Sequence, residues 1–385
     1  MDLVGAMPPP AMGLNEDEDG SLLSFLGFFP LVAVILMASG CTSDVGERPI
    51  QRIAFGSCAF QWSEQPIFHA VVAAEPDIYL SLGDAIYGDF DGQNVLDVTP
   101  ESLWVEWQKL ADHPDWQHLV AHVPVVDGTW DNHDYGHHDA GSEFPLKAAS
   151  KELFLDFFGE PAGSERRRHP GIFDAEIRGP EGRRVQIILL DTRTFKSPAL
   201  LAERPEGAGA SLGKYAPNKD PEATLLGAVQ WTWLAEQLRQ PAELRLIVSS
   251  GQVVADEKGM DEWGSYPLER QRLFDLIAET RATGVVILSG NAHFAEISTI
   301  EVGTTRIVDI TSSGLTHVNE AYAQAPNRHR LAGPVAELNF GLVEMDWDAE
   351  VGPIVRLAIG DVDGNLVIEY EGQLDEFGHT MEVEQ

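Results

Sequence analysis

The residues best suited to chemistry lie at 128–136, where the sequence is GTWDNHDYG. The short run Pro-Val-Val at 124–126 predicts a buried strand before them, and the glycines and polar residues that follow predict a loop. An amide, an imidazole and carboxylates would then leave a rigid strand together, which is where metal-dependent hydrolases hold their ligands. By itself the motif is weak, because a hydrated polar turn would have the same composition.

Three further predicted strands end in the same way. Each apolar strand runs into small residues and then into side chains that can bind a metal, in the motifs Gly56-Ser57-Cys58, Gly83-Asp84-Ala85-Ile86-Tyr87 and Ser289-Gly290-Asn291-Ala292-His293. In an open α/β sheet, ligands bind just beyond the carboxyl ends of the strands. Four such ends in one chain therefore indicate a metal site much more strongly than any one of them.

From about residue 49 onward, the pattern of apolar runs predicts one α/β domain. Strands and helices alternate as far as the predicted strand 285–288, and the later segments are predicted as strands only. Alternation followed by a run of strands indicates an α/β sandwich with a second sheet. The stretch 191–221 is too long for a simple connection, so we expect it to cover another part of the molecule.

The chain is strongly acidic, with 61 Asp and Glu against 26 Lys and Arg among 385 residues and a net charge of −35. Such a surface should repel nucleic acids and anionic membranes, so we expect no nucleic-acid-binding surface. It would also repel a phosphate group, so phosphate chemistry would need a concentrated positive charge such as metal ions. A solvated acidic surface explains most of the acidic residues.

The N-terminal region predicts export from the cytoplasm. An apolar run at 22–37 precedes the sequence ASGC at 38–41, which resembles the lipobox of bacterial lipoprotein signal peptides, with Cys41 carrying the lipid. No Lys or Arg precedes Arg48, which departs from a normal signal peptide, and an uncleaved membrane anchor is the alternative. Either interpretation predicts an extracytoplasmic protein, in the periplasm or on the cell surface, that contacts the membrane only through its N-terminal lipid or anchor.

Cys41 and Cys58 are the two cysteines of the sequence, which excludes a disulfide-rich scaffold. A single bond between them is formally possible, but the lipobox around Cys41 argues against it. The expected organisation is a signal peptide or anchor at 1–41, a short linker at 42–49, the α/β domain at 50–375 and an acidic tail at 376–385.

Taken together, the four strand-end motifs resemble those of the PhoD-like alkaline phosphatases, a family of the calcineurin-like metallophosphoesterase superfamily. Supporting matches are LLDTR at 189–193, QWTWL at 230–234 and SSGQ at 249–252. The resemblance covers roughly residues 50–370. It implies an α/β fold, the metallophosphoesterase-type four-layer sandwich of two mixed β-sheets flanked by helices. It also implies hydrolysis of phosphate esters at a dinuclear metal site.

A set of metal ligands follows from the same resemblance. The Cys58 thiolate and the Tyr87 phenolate would be electron-rich ligands that suit Fe3+ far better than Mg2+ or Ca2+. Asp84 would bridge two cations, and His293 would complete the ligand shell of the first. Asn132 would offer a neutral amide oxygen to the second cation, which we expect to be Ca2+ or another divalent ion.

His133 is expected to donate a proton to the leaving alkoxide, with Asp134 or Asp131 fixing its tautomer. Arg193 ends a predicted central strand and is the first candidate for binding phosphate. Its competitors for that role are Arg328 and Arg330.

Two departures from the family pattern affect the second metal. The family commonly has Asp where Asn132 stands, and it commonly has Gly-Asp-x-His where this chain has Gly-Asn-Ala-His at 290–293. Asn291, an expected ligand of the second metal, brings no negative charge, so we expect weaker binding there.

The expected function is therefore an exported phosphoesterase that hydrolyses phosphate monoesters, diesters or both. Two alternatives are open. One is a phosphodiesterase specific for a phospholipid or a cell-wall polyol phosphate. The other is a catalytically weak surface lipoprotein that binds metal or phosphate without turnover.

Overall fold

The structure is a computed structural model that describes residues 48–202 and 213–379. The predicted lipobox with Cys41, the apolar run before it and residues 380–385 lie outside these ranges. Within them, no helix combines the length and the apolar character needed to cross a membrane. The predicted domain boundaries stay predictions.

Strands and short helices alternate along most of the described chain. The strands are β1 (Arg52–Gly56), β2 (Ile78–Leu82), β3 (Val125–Thr129), β4 (Asp174–Arg178), β5 (Val185–Leu189), β6 (Leu200–Leu201), β7 (Tyr215–Ala216), β8 (Leu244–Ser249), β9 (Val285–Ser289), β10 (Ala295–Val302), β11 (Thr305–Ser312), β12 (Arg330–Val335), β13 (Asn339–Asp346), β14 (Ile354–Asp361), β15 (Leu366–Gln373) and β16 (Gly378–His379). The α-helices are α1 (Ile67–Ala73), α2 (Pro100–Ala111), α3 (Pro114–His122), α4 (Asn132–Tyr135), α5 (Lys147–Phe157), α6 (Glu165–Arg168), α7 (Gly227–Gln237), α8 (Pro267–Thr280) and α9 (Glu320–Ala323).

Two large mixed sheets form the centre of the fold. The six-stranded sheet has the order β15-β14-β13-β1-β2-β3, with β1, β2 and β3 parallel to one another. The eight-stranded sheet has the order β12-β10-β11-β9-β8-β5-β4, and β16 pairs with β11. Its strands β5, β8, β9 and β11 are parallel. The strands that carry the predicted ligands are thus all members of parallel sets.

Burial on both faces explains why several strands are continuous apolar runs in the sequence. β2, β5, β8 and β9 are buried along their whole length, as strands covered on both faces must be. One core lies between the sheets, where Phe55 and Leu80 join the same cluster as Leu246 and Val286.

Helices cover the two outer faces. On the six-stranded sheet, α1, α2, α3 and α5 contribute Phe68, Trp107, Leu119 and Phe154 to a second core. On the eight-stranded sheet, α7 and α8 contribute Trp231 and Phe274 to a third. The predicted four-layer sandwich of two mixed sheets flanked by helices is confirmed.

Two segments differ from the sequence-based prediction. Residues 132–135 form the one-turn helix α4 rather than a loop, because the Asp134 carboxylate accepts the backbone N–H of Asp131 at 2.9 Å and Gly136, at φ 112°, ends the turn. The long stretch 191–221 is not structureless either, since it contains the short hairpin of β6 and β7. Both differences place side chains near the predicted metal site.

Candidate metal centre

The fold brings three predicted ligands from different strand ends to one point. Cys58 follows β1, Asp84 follows β2, and His293 follows β9 in the other sheet. Their ligand atoms all lie within 4.8 Å of one another. A thiol, a carboxyl and an imidazole at that spacing form a set of donors that a single cation can share.

The backbone at these positions is held in an uncommon conformation. Cys58, Asp84, Asn291 and His293 have φ angles of 65°, 52°, 59° and 59°, in the left-handed region that non-glycine residues seldom occupy. Such strain persists where the surrounding structure over-determines the backbone, and it is concentrated at functional sites. Here it occurs within two to four residues of a strand end.

Two glycines of the motifs are required because a larger side chain would clash with its neighbours. Gly83 adopts φ 94°, and a Cβ atom added there would lie 2.5 Å from the Cβ of Asp131. A Cβ on Gly290 would lie 2.5 Å from the Ser57 hydroxyl oxygen. The loops that carry Asp84 and His293 can therefore approach their neighbours only with glycine at these positions.

Cys58 and Asp84 are buried, and in the described chain neither has a Lys or Arg partner. Cys58 and Asp84 have no exposed surface, and the Cys58 sulfur lies 3.1 Å from the Ser313 hydroxyl and 3.6 Å from an Asp84 oxygen. Burial raises the pKa of the Cys58 thiol, and it raises the pKa of the Asp84 carboxyl well above its usual value. Among the described residues, no Lys or Arg forms an ion pair with Asp84. A metal ion would supply the missing positive charge and displace these protons.

Tyr87 reaches the same region from the loop after β2, with a histidine that sequence analysis missed. Its hydroxyl lies 3.1 Å from Nε2 of His317, and burial raises the pKa of the phenol well above its usual value. Burial lowers the pKa of His317 to about 3, so the ring is neutral, and it stacks on Phe60 with centroids 3.8 Å apart. His317 follows β11, whose end in Ser-Ser-Gly at 312–314 is the same signal as at the other strand ends.

His293 is neutral and firmly placed. Burial lowers the pKa of its imidazole to about 4, and its backbone N–H donates to the Ser313 hydroxyl at 2.8 Å. Its ring meets His317 edge-on, with centroids 4.6 Å apart. A neutral imidazole is the form that binds metals.

The two asparagines differ in their partners. Asn132 is buried, and among the described residues its side-chain oxygen has no hydrogen-bond partner, while its Nδ2 lies 3.2 Å from Nδ1 of His138. Asn291 donates from Nδ2 to the backbone carbonyl of Asp261 at 3.2 Å. A buried amide oxygen without a partner is costly, and a cation would satisfy it.

The partner of His133 is Asp89, which sequence analysis did not single out. Nδ1 of His133 lies 2.5 Å from an Asp89 oxygen, and the imidazole stacks on Tyr87 with centroids 4.1 Å apart. Burial opposes the charge on the imidazole, but Asp84 and Asp89 raise its pKa above the usual value. The contact with Asp89 leaves Nε2 for a substrate.

Asp134 connects two loops instead of contacting His133 through its side chain. Its carboxylate accepts backbone N–H groups of Asp84 at 2.5 Å, Asp131 at 2.9 Å and Ile86 at 3.0 Å. Burial raises its pKa to about 7. The geometry gives Asp134 the task of holding the loop of Asp84 against α4.

Arg193 is buried in a network of carboxylates. Its Nε donates to Asp131 at 2.6 Å, and its terminal nitrogens pair with Asp131 and Asp261. The competing arginines are also paired, Arg328 with Asp256 and Arg330 with Glu296. These contacts favour a role for Arg193 in neutralising Asp131 over direct contact with phosphate.

Comparison with known proteins shows similarity to phosphatases. Residues 177–331 match the family model of the PhoD-like phosphatases. A curated relative, alkaline phosphatase D of Bacillus subtilis (strain 168), is 24% identical in an alignment of 195 positions that covers 45% of this chain and 32% of the relative. This part of the chain is therefore similar to the PhoD-like phosphatases. It spans about a third of the length of that relative.

A solved structure of PhoD shares the fold. It matches this chain with a TM-score of 0.57 and 16% sequence identity, over 88% of this chain and 75% of the other. The family match includes His293 and Arg193, whereas Cys58, Asp84 and His133 precede it. The assignment of those three residues therefore depends on the geometry at the strand ends.

Proposed function

We propose that this protein is a metal-dependent phosphoesterase that hydrolyses phosphate monoesters, diesters or both at a dinuclear centre. The observation that carries the proposal is the convergence of Cys58, Asp84 and His293, with ligand atoms within 4.8 Å of one another, in a chain whose residues 177–331 match the PhoD-like phosphatase model.

The donor atoms of these residues match the ligand preferences of two different metals. Thiolate, phenolate, carboxylate and imidazole from Cys58, Tyr87, Asp84 and His293 suit Fe3+, whereas the unpaired amide oxygen of Asn132 suits Ca2+ or another divalent ion. When bound, such a pair would bind phosphoryl oxygens and lower the pKa of water so that hydroxide is available at neutral pH.

His133 is the proposed general acid. Asp89 binds Nδ1 at 2.5 Å, which fixes the ring and leaves Nε2 to hold the transferable proton. Asp84 and Asp89 raise the pKa of His133, which favours the protonated imidazole. The proton passes from Nε2 to the leaving oxygen as its bond to phosphorus breaks.

Asp134 and Arg193 have supporting tasks in this proposal. Asp134 fixes the loop of Asp84 through three backbone hydrogen bonds. Arg193 neutralises Asp131, which lies beside Asn132 in the chain. Neither side chain needs to contact the substrate.

Release of p-nitrophenol from the mono- and bis-p-nitrophenyl phosphates, with and without added Ca2+, tests the proposal. We expect turnover of at least one substrate, stimulated by Ca2+ and lost in Asp84→Asn. The ratio of the two rates distinguishes a monoesterase from a diesterase. Metal-loaded, folded protein that turns over neither substrate would contradict the proposal and favour a binding protein without catalysis.

Export and lipidation belong to the same proposal and concern residues outside the described ranges. If Cys41 carries a lipid, globomycin should cause a larger precursor to accumulate, and Cys41→Ser should leave the protein unprocessed. If neither globomycin nor Cys41→Ser alters the size of the mature protein, the uncleaved anchor would be favoured.

A further inference from the structure

In the described part of the chain, the side-chain oxygen of Asn132 has no contact that would fix the orientation of the amide group. An amide group is nearly the same shape when it is turned over, so its oxygen and its NH2 group exchange places easily. Only the oxygen binds a cation. The buried oxygen of Asn132 has no hydrogen-bond partner among the described residues, so a neighbour of the NH2 group must decide which way the amide faces.

That neighbour is His138. Its Nδ1 lies 3.2 Å from Nδ2 of Asn132, and its Nε2 lies 3.3 Å from an Asp139 oxygen. A carboxylate can only accept, which assigns the proton of the ring to Nε2. Nδ1 is then an acceptor, and it accepts from the NH2 group of Asn132, which turns the amide oxygen the other way.

Asp139 is held in turn by the hairpin of β6 and β7. The same carboxylate oxygen accepts from the Tyr215 hydroxyl at 2.5 Å and lies 2.8 Å from Nζ of Lys214. Tyr215 is the first residue of β7. Each contact in the series from Tyr215 to Asn132 is thus a hydrogen bond or an ion pair between side chains.

We propose that His138 is a positioning residue that directs the Asn132 oxygen to the second cation, and that Asp139 and the β6–β7 hairpin hold His138 in place. This inference depends on the proposed function, because it concerns the second metal of that centre. It also gives a role to the β6–β7 hairpin within the stretch 191–221. This hairpin lies outside the centre but influences the affinity of the centre for its second cation.

The adjacent His137 provides a matched control. It is exposed, and its Nδ1 lies 3.1 Å from the backbone carbonyl of His138, outside the series of contacts. The two histidines share side-chain chemistry and neighbouring positions in one loop. Both are exposed, and they differ in the contact of the side chain with Asn132: the ring of His138 contacts the amide, whereas His137 contacts Asn132 only through its backbone N–H, which donates to the backbone carbonyl at 3.1 Å.

The experiment measures Ca2+ binding by calorimetry to the iron-loaded protein. Removing a hydrogen-bond partner of a metal ligand typically weakens affinity by ~10–100-fold, which is the loss expected for His138→Ala. His137→Ala should bind Ca2+ as the wild type does. His138→Gln should recover most of the affinity, because its side-chain oxygen can accept from the Asn132 amide. Iron content should be equal in all four proteins, which a general loss of structure would not allow.

A double-mutant cycle then tests whether His138 acts through Asn132. In an Asn132→Ala background, His138→Ala should cause no further loss of Ca2+ affinity. A further loss would show that His138 acts on the cation independently and would overturn the proposal. Tyr215→Phe, which removes one hydroxyl at the far end of the series, should weaken Ca2+ binding by a smaller factor.

The outcomes separate this inference from the proposed function. Equal Ca2+ affinity in His138→Ala and the wild type would overturn the positioning role and leave the dinuclear centre intact. An iron-loaded wild type that binds neither Ca2+ nor Mn2+ would instead contradict the second metal of the proposed function, and the positioning role with it.

Discussion

His133 and Asp89 form the pair of side chains on which the proposed proton transfer depends, with 2.5 Å between Nδ1 and the carboxylate. An alkoxide leaving group has a conjugate acid of high pKa and needs a proton as it departs, whereas p-nitrophenolate is stable as the anion. His133→Ala should therefore lower the rate on glycerol phosphate by ~10²–10⁴-fold and the rate on p-nitrophenyl phosphate by much less. Asp89→Asn should also lower the rate on glycerol phosphate more than the rate on p-nitrophenyl phosphate, but by smaller factors than His133→Ala.

The control for His133 is the metal content of each variant, measured on the samples used for the rates. A ligand role would lower metal content and depress both substrates alike. Equal losses on the two substrates with both metals still bound would contradict the acid role.

The raised pKa of Glu262 predicts that the free energy of unfolding depends on pH. Burial raises the pKa of its carboxyl from 4.5 to about 7, although Lys258 opposes the shift, and one of its oxygens is buried without a hydrogen-bond partner in the described chain. A folded-state pKa raised above the unfolded value gives stability that is fully present below pH 4.5 and is lost as pH rises through about 7.

Glu262→Gln removes this titration, so its stability relative to the wild type should increase between pH 4.5 and pH 8. The shift from 4.5 to about 7 corresponds to roughly 3 kcal/mol at about 1.36 kcal/mol per pH unit. Urea denaturation at both pH values measures it, with the exposed Glu350→Gln as control. A difference between Glu262→Gln and wild type that does not change with pH would contradict the assignment.

At the scale of elements, the centre depends on the turn that follows each strand. Gly83, at φ 94°, has no room for a Cβ beside Asp131, whereas Gly303, at φ 62°, has open space around it. Gly303→Ala should cost only left-handed strain, about 1–2 kcal/mol. Gly83→Ala should cost roughly 1–3 kcal/mol more and should release the metal, because Asp84 follows it directly. Thermal melting and metal analysis of the two variants measure both effects, and retention of metal by Gly83→Ala would contradict this view.

The elements also show how far the sequence could predict the site. The sequence indicates Cys58, Asp84 and His293 as candidate ligands because a buried strand followed by a small residue is a local pattern, and the fold brings the three together. Asp89 was missed because its partner, His133, is 44 residues away and only the fold brings the two together. The pairing of Arg193 with Asp261 has no local signal either, so the predicted contact of Arg193 with phosphate stays a prediction.

At the scale of the whole molecule, the net charge of −35 should make stability depend on salt. Raising salt from about 10 mM to about 150 mM shortens the screening length from about 30 Å to about 8 Å and weakens the repulsion among carboxylates. The free energy of unfolding at pH 8, measured with urea, should therefore rise with salt. Near the isoelectric point of about 4.5, the same change should have much less effect. Stability at pH 8 that is insensitive to salt would show that the charges are locally balanced.

The claim that Cys58, Asp84, Tyr87 and His293 hold a metal is tested most directly by iron analysis and visible absorption of the purified protein. Thiolate and phenolate bound to Fe3+ should colour the wild type by charge transfer, and Tyr87→Phe should shift or abolish the band. Tyr79→Phe is the control, because it removes a buried hydroxyl that has no hydrogen-bond partner in the described residues, and its band should be unchanged. A colourless, iron-free protein that hydrolyses phosphate esters at full rate would contradict the account.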